Sequence, residues 1–267
     1  MTTEFPKVSI ITPSYNQSAY IERTIRSVID QSYKNIEYII IDGGSTDGTV
    51  DIIKNYEDRF SCWVSEPDQG QAHALNKGLK KCTGEIIAYI NSDDYYNPGA
   101  IESVVNFFRS NGDACAVCGY CTVIWETNPE EIKLDTDTVG DITFKRLLRY
   151  WNPKFCPPQS SLFFLRQVVD AVGYFDERLH YTMDLDYWIR ISRRNKIHLL
   201  KKNLSNYLIH PDSKSGSAGG FDKFLPERKQ LSNKYKRELS FLDLIKHYKD
   251  YVLFPLKRRI RESYWLN

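Results

Sequence analysis

The chain has 267 residues, enough for one large α/β domain or a domain with an appendage. Its 42% apolar and 26% charged residues are the balance of an ordinary globular protein, and a net charge of +2 is too small to argue for nucleic acid as a partner. The opening MTTEFPKVSIITPS lacks a secretory pattern, and no apolar run approaches membrane-spanning length, so the expectation is a cytoplasmic body. Charge is unevenly spread: from Asp222 to Asn267 there are 12 Lys+Arg against 6 Asp+Glu, which leaves the preceding residues net acidic. A basic C-terminal tail suggests a peripheral contact with anionic lipid at the inner face of the cell membrane, or with an acidic partner.

In chain order, Val8–Thr12 reads as a buried strand and Ala19–Asp30 as a helix with Ile21, Ile25, Val28 and Ile29 on one face. Glu37–Asp42 is a second strand, Thr49–Tyr56 a helix, Cys62–Ser65 a third strand and Gln71–Lys81 a helix. Glu85–Ile90 is a fourth strand, and Pro98 opens a helix carrying Ile101, Val104, Val105 and Phe108. Strand and helix alternating at this spacing predict a parallel sheet covered on both faces, with ligands beyond the carboxyl ends of its strands. The later chain is less regular. Ala114–Trp125 is strand-like, Asp141–Tyr150 helical, Gln159–Phe164 a strand, Met183–Asn195 a helix and Ile197–His210 extended. A polar loop over Ser213–Gly220 precedes two helical segments, whose tail, Phe241–Leu266, reads as an amphipathic surface helix pair or as a helix packed with its basic face solvated. Cys115, Cys118 and Cys121 lie in a strand-like run, where alternation puts Cys118 opposite the other two, which reads as buried thiols rather than ligands of one ion.

Polar residues gather just past the first four strands: Thr12 to Asn16; Asp42 with Gly43 to Gly48; Glu66 to Gln71; and Asn91 to Asp94. Each is ordinary turn chemistry when taken alone. Together they converge on one edge of one sheet, and three of them bring carboxylates. Paired acids such as Asp93 and Asp94 at the mouth of a strand suit Mg²⁺ or Mn²⁺ through oxygen ligands, leaving positions for substrate phosphates. The glycine run after Asp42 lacks the lysine of a P-loop, so its use is to bring backbone close to a base.

TPSYN, IDGGSTDGT, EPDQGQAHALNKG and INSDD, followed by PPQSSLFF, VGYFDE, MDLDYWIRI and a late His210 with Ser213-Lys214-Ser215, resemble the ordered motifs of glycosyltransferase family 2 over roughly residues 6–215. The resemblance implies the Rossmann-like nucleotide-binding sheet of the A-type glycosyltransferase fold, here with a C-terminal helical extension. It divides the chain into a catalytic domain at 1–221, with a nucleotide-sugar-binding half at 1–112 and an acceptor and catalytic-base half at 113–221, and a basic extension at 222–267. It also implies an inverting transfer from a nucleotide sugar, a UDP-sugar in most similar enzymes, to a hydroxyl acceptor; the lack of a membrane-spanning run and the basic tail suggest a glycan or lipid-linked acceptor, as in bacterial surface polysaccharide synthesis.

Carried over by position, Pro13, Tyr15, Asp42 and Asp68 would surround the base, Asn91 would meet ribose or sugar hydroxyls, and Asn16, Ser92 and Asp93 would also bind the nucleotide sugar. Asp93, supported by Asp94, would hold Mn²⁺ or Mg²⁺, and His210 would close over the diphosphate or complete the metal shell. Asn91 stands where the family's Asp-x-Asp motif begins, and an amide there brings no charge to the metal. Asp184 occupies the position of the catalytic base; Asp186 reads as a first-turn acid favoured by the helix dipole. Gln159, Ser160 and Ser161 line the donor-sugar or acceptor pocket. A sugar nucleotidyltransferase would carry Arg and Lys in a glycine-rich loop after the first strand, and TPSYNQS has neither; a non-catalytic nucleotide-sugar-binding protein would not need Asp42, Asp93 and Asp184 together.

Overall fold

Short apolar runs become strands wherever both sheet faces are covered, and here they alternate between two cores. The computed structural model describes residues 5–135, 142–151, 156–217 and 220–264. Its sheet begins with β1 (Val8–Ser14), β2 (Ile36–Asp42), β3 (Cys62–Ser65) and β4 (Ile86–Tyr89), arranged β3-β2-β1-β4 and all parallel. Ile11, Ile39, Ile41, Ile87 and Tyr89 face one core; Val8, Ile10, Ile40, Ile86 and Ala88 face the other. That period-two division is what a sheet sandwiched between helices requires. Helices α1 (Ile21–Ile29) and α4 (Ala100–Ser110) cover the second core, and α3 (Gln71–Lys81) covers the first. α3 lies very close to β1: a Cβ on Gly78 would fall 2.5 Å from Ile11 Cγ2.

The parallel order expected from the first four strands is present, and beyond them the sheet becomes mixed. β8 (Leu162–Leu165) inserts antiparallel between β4 and β6 (Ala116–Trp125), and β9 (His198–Ile209) runs parallel to β6. A four-residue apolar run such as Leu162–Leu165 is buried on both faces, and burial carries no information about direction. Two reversals restore the original sense, so the carboxyl end of β9 points the same way as that of β4. β5 (Tyr95–Tyr96) closes the far edge against β9, and β7 (Asn128–Asp135) forms a hairpin with β6.

Other departures are local. Gln159–Ser161 is a 3-10 turn preceding β8 rather than part of a strand. The helix expected over Asp141–Tyr150 shrinks to α5 (Phe144–Leu147), because Ile142 is drawn into a bridge with Ile197; Asp141 itself lies outside the described residues. Register shifts between Gly119 and Cys121 break strict alternation, so Cys118 and Cys121 both reach the Pro158–Ser160 turn instead of opposite faces. No disulfide joins any of the six cysteines, all of which are among the described residues.

After α6 (Arg166–Val172) and α7 (Met183–Ser192), the chain ends in α8 (Leu225–Tyr235) and α9 (Phe241–Tyr264). α8 packs on the body, where Leu231 and Tyr235 join the same core as Trp188, Phe164 and Tyr89. Among the described residues no helix is long and apolar enough to cross a membrane.

Candidate active site

β1 and β2 end side by side, Ser14 against Asp42, and their following loops are zipped together. Asn16 adopts a positive φ of 50°, donates its N–H to Ser45 Oγ (2.8 Å) and accepts the Thr46 N–H on Oδ1 (2.9 Å). Gln17 and Ser18 donate their N–H groups to Thr49 Oγ1 (2.8 Å) and Asp47 Oδ2 (2.9 Å). Burial pushes the Asp47 carboxyl up, but hydrogen bonds from Thr49 and Ser18 outweigh it and hold it at about 2. Asp42 is fully buried, and its carboxylate accepts from Gly44 N (3.0 Å), Ser45 N (2.9 Å), Ser45 Oγ (2.5 Å) and Ser65 Oγ (2.7 Å). Its bonding capacity is therefore taken up in shaping the loop, leaving the more open Asp68 as the carboxylate at this rim. Asp68 accepts the Gly70 N–H (2.7 Å) and lies against the bare backbone of Gly43, where a Cβ would fall 2.8 Å from Oδ2. Pro13 is buried within β1, and the Tyr15 ring is exposed beyond it.

The turn after β4 sends its two acids opposite ways. Asp94 is buried and accepts the Leu208 N–H on Oδ1 (3.1 Å), while Oδ2 has no hydrogen-bond partner among the described residues. Burial, reinforced by neighbouring Asp93, holds its carboxyl well above the usual range. Thr24 fixes the turn by donating to the carbonyls of Ser92 (2.9 Å) and Asp94 (2.6 Å). Asp93 points to His210, with Oδ2 and Nε2 3.1 Å apart. His210 follows directly on β9, is buried, and is held against Tyr20 with ring centroids 4.2 Å apart. This geometry brings together two residues 117 positions apart.

Asp184 sits half-buried in the first turn of α7, where its Oδ1 accepts the Leu185 N–H (2.7 Å). Burial raises its carboxyl above the ordinary value, while that backbone bond and the cations Lys214 and Arg228 pull the other way. Asp186 instead faces inward and binds Arg190 Nε (2.7 Å) and Tyr235 Oη (2.9 Å), a purely structural set of contacts. Ser160 and Ser161 are also internal: both bond Ser205 (2.8 and 2.6 Å), and Ser161 donates to Tyr120 O (2.8 Å). Gln159 is partly open and bonds Tyr89 O through Nε2 (2.7 Å).

Two residues join these parts: Lys214, which the sequence offered as part of the Ser213-Lys214-Ser215 motif without a role, and Glu227, which it did not single out. Lys214 donates to His180 O (2.8 Å) and to Gln71 Oε1 (3.0 Å), and Gln71 donates through Nε2 to Asn91 Oδ1 (2.6 Å). Burial lowers the Lys214 ammonium, against the opposing fields of Asp184, Glu227 and Asp93, so this one cation senses both the Asp93 side and the Asp184 side. Glu227 of α8 accepts the N–H groups of His180 (3.1 Å), Tyr181 (2.9 Å) and Thr182 (3.0 Å) and the Thr182 hydroxyl (2.9 Å). The motif around Lys214 was the signal that could have found it, whereas a glutamate in a helix such as Glu227 carries no local signal that separates it from a solvated charge.

A divalent cation fits this donor set. An imidazole nitrogen and a carboxylate oxygen already face each other, and one mixed N/O pair suits Mn²⁺ as well as a partly hydrated Mg²⁺. No group of three or more such side chains converges among the described residues, so the remaining positions would fall to phosphate oxygens and water.

The Glycosyl transferase family 2 model matches residues 9–173 of this chain. An uncharacterised glycosyltransferase of Rickettsia typhi is 30% identical over 224 residues, covering 81% of this chain and 68% of its own length. TuaG of Bacillus subtilis, named provisionally for teichuronic acid biosynthesis, is 39% identical over 132 residues, 48% of this chain and 52% of its own. Among solved structures, S. aureus TarS in complex with UDP-GlcNAc superposes with a TM-score of 0.65 at 20% identity, over 79% of this chain and 61% of that one. The mannosyltransferase PcManGT from Pyrobaculum calidifontis, in complex with GDP-Man and Mn²⁺, gives 0.59 at 15% identity over 94% and 81%. The chain thus spans about two thirds of the Rickettsia relative and less of TuaG and TarS. With an A-type glycosyltransferase fold, and with the family model laid along its parallel strands and the turns that carry Asp42, Asp68 and Asp93, this chain belongs to glycosyltransferase family 2.

Proposed function

We propose that this chain transfers a sugar, with inversion, from a UDP-sugar to a hydroxyl of a glycan or lipid-linked acceptor in bacterial surface polysaccharide synthesis. The observation that carries the reading is the placement of the Asp93–His210 pair and of Asp184 about one partly buried cation, Lys214, whose charge acts on both, on the edge where β1, β2 and β4 end. The loop held by Asp42, together with Tyr15 and Asp68, forms the rim for the base, and Asn91 is presented by Gln71 for ribose or sugar hydroxyls. Asp93 and His210 would hold Mn²⁺ or Mg²⁺, which when bound offsets the negative charge of the diphosphate. Asp184 takes the proton from the acceptor hydroxyl. That oxygen then bonds the anomeric carbon as the carbon–phosphate-oxygen bond breaks, and the electron pair leaves with UDP. Burial that raises the Asp184 carboxyl makes its carboxylate a stronger base than one in water. The bound UDP-GlcNAc of TarS and the name of TuaG support the donor class and the polysaccharide setting. A peripheral contact through the basic C-terminal stretch fits an acceptor at the membrane surface.

The test is a calorimetric titration of UDP into the protein, with and without Mn²⁺, against wild type and Asp93→Ala. Metal-dependent binding lost in the variant supports the donor site and directs a screen of UDP-sugars for turnover that Asp184→Asn abolishes. Absence of UDP binding with any metal removes the uridine assignment, and GDP and dTDP are then titrated in its place.

A further inference from the structure

α9 is docked with its polar side inward. At about 100° per residue, Asp243, His247 and Asp250 share one side of the helix. This side meets the body: Asp243 pairs with Lys145 (2.7 Å), Asp250 pairs with Arg149 (2.9 Å), and His247, 6% exposed, packs edge-on against Trp151 with centroids 4.6 Å apart. Phe241, Ile245, Tyr248 and Val252 follow at i, i+4, i+7 and i+11 on the opposite side, and they are 76%, 49%, 47% and 70% exposed. Leu242, 68% exposed, widens the stripe. A surface helix of a globular protein ordinarily turns such a stripe toward the core and its charges toward water. Here the arrangement is inverted, so the apolar side is left for a partner.

Charge identifies that partner. Phe241–Asn267 contains six Lys+Arg and three Asp+Glu, and two of those acids, Asp243 and Asp250, are neutralised by Lys145 and Arg149 of the body. Lys246 and Lys249 are exposed beside the stripe, and the Lys236 ammonium lies 5.5 Å from the Tyr248 ring centroid. An apolar stripe edged by cations matches an anionic lipid surface, where side chains enter the acyl boundary while lysines reach the headgroups. A second copy of this chain would instead set the same cations against one another.

We propose that the Phe241–Ile245–Tyr248–Val252 face of α9 docks this chain on an anionic bilayer, lying along the interface rather than crossing it. This inference rests on the peripheral membrane contact in the reading above and assigns it to one surface. Flotation of the full chain with vesicles of phosphatidylglycerol and phosphatidylcholine tests it, with vesicles of phosphatidylcholine alone as the second arm, and with the double variant Ile245→Glu, Val252→Glu beside wild type. Both replaced side chains are exposed, so thermal unfolding should be unchanged. Wild type is expected to float with the anionic vesicles, at least about tenfold less with the neutral ones, and to detach as salt rises. The double variant should bind the anionic vesicles at least about tenfold less well. UDP titration of both proteins, run without lipid, separates this idea from the donor assignment: it should give the same affinity for each. Wild type that stays off anionic vesicles overturns the docking surface, even if UDP binds. So does a sedimentation experiment showing that the stripe instead joins two copies, with dimers dissolved by the double variant and no vesicle binding.

Discussion

Glu227 closes the approach to the helix that carries Asp184, by accepting from both the backbone N–H and the hydroxyl of Thr182. Thr182 is the N-cap of α7, and its carbonyl accepts the Asp186 N–H (2.9 Å), but its side chain makes no cap hydrogen bond to its own helix. The Thr182 hydroxyl donates instead to Glu227 of α8, 45 residues later, and on the other side Lys214 fastens the His180 carbonyl. The segment preceding the proposed base is thus bolted from two directions. Glu227→Ala leaves three N–H groups and a hydroxyl without their acceptor and is expected to cost roughly 1–3 kcal/mol in chemical denaturation. Turnover should fall more than UDP affinity, because the donor rim is built from other loops. Equal losses in both, or none in either, would remove Glu227 as a positioning residue for Asp184.

The Asp93–His210 pair makes a separate prediction. His210→Ala should weaken Mn²⁺-dependent UDP binding by at least about tenfold and leave the smaller metal-free binding unchanged. Calorimetry at several Mn²⁺ concentrations reads both. Asp94→Asn, at an inward-facing position whose carboxyl is already held well above its usual range, should lose far less.

In the proposed transfer Asp184 acts as the carboxylate, and burial raises its carboxyl above the ordinary value of about 4. The acidic limb of kcat/KM should therefore lie above that value, with activity falling as pH drops through it. Asp184→Asn should reduce transfer on the order of 10²–10⁴-fold at unchanged UDP affinity. The sign for stability is opposite to that of a salt-bridged acid. A carboxyl raised in the folded state is easier to ionise when unfolded, so its contribution diminishes as pH rises from acid to neutral. Asp184→Asn is accordingly expected to unfold at a slightly higher temperature than wild type at pH 7, and a clearly lower Tm would contradict this account.

At the donor rim, Gly43→Ala sets a methyl group 2.8 Å from Asp68 Oδ2. Asp68 must then shift while the buried strands below stay in place, and UDP affinity should drop about tenfold, the equivalent of ~1.4 kcal/mol. Asp42→Ala differs in kind: it deprives two N–H groups and two hydroxyls of their acceptor and should cost roughly 3 kcal/mol or more of folding stability. Titration of UDP and denaturant unfolding, run on both variants, separate the two effects.

The order β1 to β4, the helices between them and the turns at Ser14, Asp42, Ser65 and Asn91 were legible as sequence, because each depends on periodicity within a dozen residues and on turn chemistry. Later elements were read less well for identifiable reasons. Leu162–Leu165 is apolar throughout, so its antiparallel course was invisible, and the register shift at Gly119–Cys121 exists only because β9 lies alongside. Ile142 leaves the expected helix to bridge Ile197, 55 residues away.

By itself, the sequence determined which segments are strands in the first half, that four polar turns share one edge, and which acids those turns offer. These are consequences of local pattern, the part of folding that short-range physics controls. Only the tertiary structure decided which carboxylates remain open. Asp42, Asp94 and Asp186 are drawn inward by donors from other elements, while Asp93 is turned to His210 and Asp184 is left half-buried near Lys214. It likewise turned the charged side of α9 inward, because Lys145 and Arg149 offer it partners on the body. Such choices are made by contacts between residues far apart in the chain, and no window along the sequence contains both members of the pair.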